Sequence, residues 1–278
     1  MHAAAISRRI NGERLLLVAW LRALLLQLAH PLIAAGVAEH STFRGSTAAG
    51  FARLHQTIGA MLAITFGAHD ERQRTLEGIR AIHRRVRGSL RSAAGVFPAG
   101  TPYSAEDSLL LVWVHATLVE SILLAYEQLI QPLTPADRDR YCADSADVAV
   151  ELGARADAVP RSWAALRAHL DEGYASGRIA VGPQALTLAG ALVSPFESRL
   201  GNRLVSPVAS LLAAGQLPPH IRAQYGFTWD CRRSRRYGRI ITVLRLARRC
   251  SPSRLAVWKS ARSADGFSVA HGHSATAR

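Results

Sequence analysis

Apolar positions recur along this chain at the three-to-four-residue spacing of helices, and no run shows the sustained alternation that a half-buried strand requires. The most apolar stretch, residues 15–38, breaks at Pro31 into helices over 15–30 and 32–39. Proline lacks the N–H that a helix interior uses and pushes the residue before it towards extended backbone. Phe51, Leu54, Ile58, Met61 and Leu62 stripe a helix over 48–66, and Leu76, Ile79, His83 and Val86 stripe another over 70–87. A loop rich in glycine, alanine and proline follows over 88–102. The strongest helix spans 104–130, with Ser104 as its cap, Glu106 and Asp107 at the positive end of its dipole, and Pro132 beyond its end. Its middle, from Leu109 to Leu124, is apolar almost all round, as in a central buried helix. Thr134 and Pro135 open a helix that ends near Gly153, and further helices are predicted over 160–174, 179–192, 196–214, 219–225 and 230–249. No repeat or linker divides the chain. The expectation is one all-α domain over 1–260, with a serine-, glycine- and histidine-rich tail over 261–278 that is disordered.

Composition agrees with a globular chain: 278 residues, 49% of them hydrophobic, bury a sizeable core without metal or disulfide staples. The three cysteines, Cys142, Cys231 and Cys250, form no Cys-x-x-Cys, which argues against a structural zinc site and against covalent haem attachment. Their low, odd number fits a reducing, cytoplasmic compartment. Arg8-Arg9 ahead of the apolar run raises a twin-arginine export signal or a membrane span. Arg22, Gln27, His30 and Pro31 inside the run favour a buried, interrupted helix, with the chain starting near Met1.

Charge changes the picture only at one end. From Arg222 onward there are twelve arginines and Lys259 against Asp230 and Asp265, so most of the net charge of +14 lies in the last fifth of the chain. The helix over 230–249 crowds Arg232, Arg233, Arg235, Arg236 and Arg239 at its start and carries Ile240, Ile241, Val243, Leu244 and Leu246 as apolar surface. A solvated face with a loose end is the plain reading, and peripheral contact with an anionic membrane is the functional one. Nucleic acid is disfavoured, because no aromatic interleaving or helix-turn-helix signature accompanies the arginines.

Several chemistries lack their residues. There is no P-loop, no Gly-x-Gly-x-x-Gly, no His-Glu-x-x-His, no Glu-x-x-His pair for a di-iron bundle and no Gly-x-Ser-x-Gly elbow. What remains is a set of histidines and arginines within apolar helices: His30, His40, Arg53, Arg80, His83 and His115. Arg80 and His83 stand one helical turn apart, as do Arg53 and Thr57. A guanidinium on an apolar stripe needs an anion or carbonyls to offset its desolvation. The plain alternatives are a solvated His83 among Arg84, Arg85 and Arg87, an Arg80 paired with Glu77 or Glu71, and a buried, hydrogen-bonded His115. Trp113 reads as core, Tyr103 as a loop anchor and Asp107 as a helix-start charge.

The ordered pieces Leu26-Gln27-Leu28-Ala29-His30-Pro31, Gly36-Val37-Ala38-Glu39-His40-Ser41, Arg53-x-x-x-Thr57, Arg80-x-x-His83-x-x-Val86-x-Gly88, Tyr103-x-Ala105-x-Asp107 and Trp113-Val114-His115-Ala116-Thr117 resemble the MpaB oxygenase family, which shares the catalytic domain of the rubber oxygenases. The resemblance runs from about Leu15 to Pro219, with weaker echoes to Pro252. It implies a globin-like helical fold enclosing a pocket for haem b. His83 then matches the proximal iron ligand, Arg80 a partner near a haem propionate, Arg53 and Thr57 distal residues, and Glu39 a distal carboxylate acting as base. The rubber oxygenases carry a lysine before that threonine; here the residue is Gln56, a poor iron ligand, so the distal position is expected to be open. The implied activity is a haem-dependent oxidoreductase using dioxygen on an apolar, isoprenoid-type substrate. The competing expectation is a non-catalytic haem- or lipid-binding helical protein that docks on membranes through its basic C-terminal helix.

Overall fold

The computed structural model describes residues 3–40, 47–194 and 199–263, with the side chains of 3–5, 47–54, 199–200, 202 and 204 outside that description. The architecture is all-α, with helices covering most of the chain and a single two-stranded hairpin among the described residues. At its centre is α6 (Ser108–Leu129), packed most extensively against α2 (Leu17–Leu28). Leu25, Leu26, Val112, Ala116 and Leu123 are fully buried there, as the near-continuous apolar run of α6 requires. Only the ends of that run, Leu109 and Leu124, face outward. By length and composition α6 is able to cross a bilayer, but 67% of its most apolar window is buried within the molecule, as in a core helix.

The first apolar stretch is interrupted as its proline dictates. The helical pair formed by residues 14–28 and α3 (Pro31–His40) bends by 106° at the break. The arginine inside this stretch is accounted for: buried Arg22 donates to Glu120 Oε2 at 2.6 Å, Ser121 Oγ at 2.7 Å and the Gln216 carbonyl at 2.9 Å. Arg167 donates to the other oxygen of Glu120. A buried guanidinium with matched acceptors belongs inside a protein, and this network ties α2, α6 and α8 (Trp163–Ala175) together.

The remaining helices complete the domain. They are α1 (Ala3–Asn11), α4 (Thr47–Phe66), α5 (His69–His83), α7 (Pro135–Glu151), α9 (Pro183–Val193), α10 (Arg199–Gln216), α11 (Pro219–Gln224), α12 (Cys231–Cys250) and α13 (Ser253–Ala256). α7 begins as its sequence predicts, with Thr134 accepting from the Asp137 N–H and Pro135 in the first turn.

Three expectations are corrected. The segment read as loop contains a hairpin, β1 (Arg87–Ser89) against β2 (Pro102–Ser104). Ser104 therefore sits in a strand and Asp107 caps α6, accepting from the Leu109 N–H at 2.8 Å. Helix α5 stops at His83 rather than at residue 87, because Arg87 folds back and donates twice to the Arg84 carbonyl, closing the helix end. Residues 259–263 are helical with Ala261 buried, and the rest of the predicted tail lies outside the described residues. The two ends of the described chain meet. Trp258 N–H donates to the Gly12 carbonyl, and Arg248 forms a two-bond ion pair with Glu13 at 2.6 Å.

Candidate functional site

The hairpin and the helix ends around it gather most of the singled-out residues at the N-terminal end of α6. Gly36 on α3 lets Val86 and Tyr103 approach closely, and a side chain at Gly88 would strike the Tyr103 hydroxyl. This close packing carries the end of α3 onto the hairpin. Tyr103 Oη donates to Glu39 Oε2 at 2.6 Å, Arg91 Nε donates to Glu39 Oε1 at 2.9 Å, and His40 Nε2 lies 3.1 Å from the Arg87 carbonyl. The hydroxyl bond from Tyr103 is the main cause that holds the Glu39 carboxyl below the usual carboxylate range, and Arg91 adds to it. Burial and the adjacent carboxylate push the Tyr103 phenol well above its ordinary value, so it remains a donor. Glu39 is thus an anion held at both oxygens, and these bonds favour its ionised form.

Arg80 and His83 form the last turn of α5. Both are half-buried, and the buried Arg80 Nε and His83 Nδ1 have no hydrogen-bond partner. Arg80 Nε makes no bond to Glu77 or Glu71, so the alternative of a local ion pair is not realised at that atom. Desolvation lowers the His83 pKa, with nearby Glu106 opposing, so the ring is held neutral. Neutral imidazole is the form that ligates a metal.

Two further histidines share this property. His30 is buried against Phe97 with ring centroids 5.3 Å apart, and its Nδ1 has no partner. Burial pushes its pKa down to about 4, and the charge of Arg178 adds to the shift. His115 is also pushed to about 4 by desolvation, yet the residue keeps part of its surface accessible and its Nε2 is unpartnered. The hydrogen bond expected of His115 is therefore absent at that atom. Trp113 is core as predicted, donating to the Leu26 carbonyl.

The remaining predicted residues lie on α4. Thr57 and Gln56 are on its exposed side, and Arg53 is on the same helix with its side chain outside the described residues. Helices α4 and α5 pack as a hairpin joined through Gly67 and Ala68. Arg53 and His83 stand nearly the same number of residues from that turn, about 20 Å along each helix. The backbone therefore places the two at one level, while the hydrogen bonds of Glu39 go to Tyr103 and Arg91. Arg91 belongs to no motif in the sequence, whereas Tyr103, a loop anchor by sequence, carries its signal in the Tyr103-x-Ala105-x-Asp107 piece. The described residues hold no group of three or more histidine, cysteine or acidic side chains suited to a metal ion. A macrocyclic cofactor asks the protein for a single ligand of this kind.

Fold and site together define a mostly helical domain that carries buried neutral imidazoles at His30, His83 and His115 and an unpartnered Arg80 Nε. The chain belongs to the family described as ER-bound oxygenase mpaB/B'/rubber oxygenase, catalytic domain, whose model matches residues 8–246. The family is one of oxygenases, which supports an oxidoreductase activity. Two relatives, the uncharacterized proteins Mb2261 of Mycobacterium bovis and Rv2237 of Mycobacterium tuberculosis, are each 27% identical over 234 residues, covering 83% of this chain and 88% of theirs. No solved structure gives a significant match.

Proposed function

We propose that this protein is a haem b-dependent oxygenase that acts with dioxygen on an apolar substrate of the isoprenoid class, within a globin-like arrangement of its helices. The observation that carries the reading is the pair of unpartnered buried nitrogens, Arg80 Nε and His83 Nδ1, on the last turn of α5. Leaving a guanidinium N–H and an imidazole nitrogen out of water without a partner costs about 1–3 kcal/mol each. An anionic, nitrogen-ligated group removes that cost at both atoms. His83 would ligate the iron, and Arg80 would meet a propionate. Haem, when bound, supplies the activation of dioxygen. The chain's own residues would position and tune: Arg53, whose backbone on α4 stands level with His83, would supply a cation, and Thr57 one turn along a hydroxyl. Gln56 offers no competing ligand, and Glu39 stays ionised as an acceptor whose proton affinity is set by Tyr103 and Arg91.

The test is a haem titration of the purified protein followed by its absorption spectrum. Wild type is expected to show a Soret band that shifts on reduction and carbon monoxide addition, and His83→Ala to lose it. An H83A variant with full haem content and an unchanged spectrum overturns the ligand assignment. Arg53→Ala is expected to keep haem and lose turnover.

A further inference from the structure

Helix α12 is fastened along one side and bare along the other. Ile241 is buried, Tyr237 donates to Gln128 Oε1 at 2.8 Å, Arg245 donates to the Gln128 carbonyl at 2.6 Å and Arg248 is locked to Glu13. The helix is therefore part of the body and not a loose arm. Its outer stripe runs Arg235, Arg239, Val243, Leu246 and Arg249, spaced three and four apart. Val243 and Leu246 are 64% and 60% exposed. A shallow groove lined by Arg235, Gly238, Arg239, Thr242 and Val243 opens beside them. The helix contains no acidic residue, and among the described residues its one ion pair is the Arg248–Glu13 contact on the inner side.

Two aliphatic side chains on successive turns, bracketed by arginines without acidic partners, match one environment. In a bilayer interface the guanidinium groups meet lipid phosphates while the aliphatic tips sink beneath them. A nucleic-acid surface has no use for the aliphatic centre, and a second copy of the same stripe would set arginine against arginine. We propose that the outer face of α12 is a membrane-docking surface that lies in the headgroup layer of an anionic bilayer, inserting Val243 and Leu246 and placing Arg235, Arg239 and Arg249 on lipid phosphates. This inference is independent of the oxygenase reading.

Point substitutions test it better than truncation, since removing α12 would uncover the core that Ile241 packs against and strand Glu13. Full-length protein is sedimented with vesicles of phosphatidylcholine alone and of phosphatidylcholine with phosphatidylserine. Binding is expected only to the mixed vesicles, with loss at high salt. Val243→Ser with Leu246→Ser is expected to weaken it by roughly tenfold or more. Arg235→Gln with Arg239→Gln should weaken it by about fivefold per charge and flatten the salt dependence. All four positions are exposed, so circular dichroism and melting of both variants should match wild type. The proposal is overturned by absence of binding to anionic vesicles, by equal binding to neutral ones, or by unaltered binding of the V243S/L246S variant. Self-association through this face, or duplex DNA competing the protein off the vesicles while V243S/L246S leaves DNA affinity unchanged, also overturns it.

Discussion

Replacing Glu120 by leucine tests how the core is held. Glu120 is fully buried and Arg22 is 3% exposed. The carboxylate is the only acidic group on Arg22 among the described residues; the other acceptors of that guanidinium are the Ser121 hydroxyl and the Gln216 carbonyl. Glu120→Leu leaves a cation in the interior with two neutral partners. Breaking one side of a buried pair costs about 3–5 kcal/mol. Arg167, partly exposed, loses one acceptor but keeps its ion pair with Asp171, so it adds little. At about 2–4 °C per kcal/mol for a domain of this size, Tm should fall by roughly 6–20 °C. The double variant Arg22→Met with Glu120→Leu removes both charges and should recover to within about 1 kcal/mol of wild type, since matched apolar replacements of buried pairs are often neutral. Thermal melting of wild type, both single variants and the double closes a mutant cycle with an expected coupling of at least ~2 kcal/mol. A single variant that melts within a degree or two of wild type refutes the reasoning, and so does a double variant whose loss equals the sum of the singles.

Tyr103→Phe removes the hydroxyl that chiefly lowers the Glu39 pKa, so that pKa should rise towards its ordinary value. A depressed carboxylate pKa stabilises above the unfolded value, so the cost, about 0.5–1.5 kcal/mol near neutrality, should shrink as pH falls through the Glu39 titration; a pH-independent difference in melting rejects the link. His30 is buried with its pKa lowered to about 4 from 6.5, so its contribution is complete above the unfolded value and lost as pH falls between the two, by about 3 kcal/mol. His30→Leu should flatten stability against pH over that window, and an unchanged slope would show that His30 is not the titrating group.

The elements legible in the sequence are those whose information is local. α6 follows from its apolar run, α7 from Thr134-Pro135, and the break at Pro31 from proline chemistry. The β1–β2 hairpin was not legible, because three-residue strands of Arg-Gly-Ser and Pro-Tyr-Ser are too short to show a period. What fixes the hairpin's place is the contact of Tyr103 with Glu39, 64 residues away. Arg22 illustrates the same limit. As a sequence feature it only weakens a membrane span, and its meaning lies in Glu120, 98 residues on. At the site, the spacing of Arg80 and His83 was visible as one helical turn. That both lack partners, and that Glu39 is clamped by Tyr103 and Arg91, depends on tertiary packing that no local pattern records.

The two proposed activities lie at opposite ends of one rigid element. The Glu39–Tyr103 hairpin and the end of α5 adjoin the start of α6, where Asp107 caps the helix and Glu106 bears on His83. Helix α12 is pinned to its far end through Gln128, which receives both Tyr237 and Arg245. The 21 residues between Asp107 and Gln128 span about 30 Å of helix. Groups that far apart, sharing no partner, are energetically independent to within a few tenths of a kcal/mol. Substitutions on the outer face of α12 should therefore leave haem uptake untouched, and His83→Ala should leave vesicle binding untouched. If both readouts fell together in a variant whose melting matches wild type, the independence of the two ends would be refuted; if they separate, each surface is tested on its own chemistry.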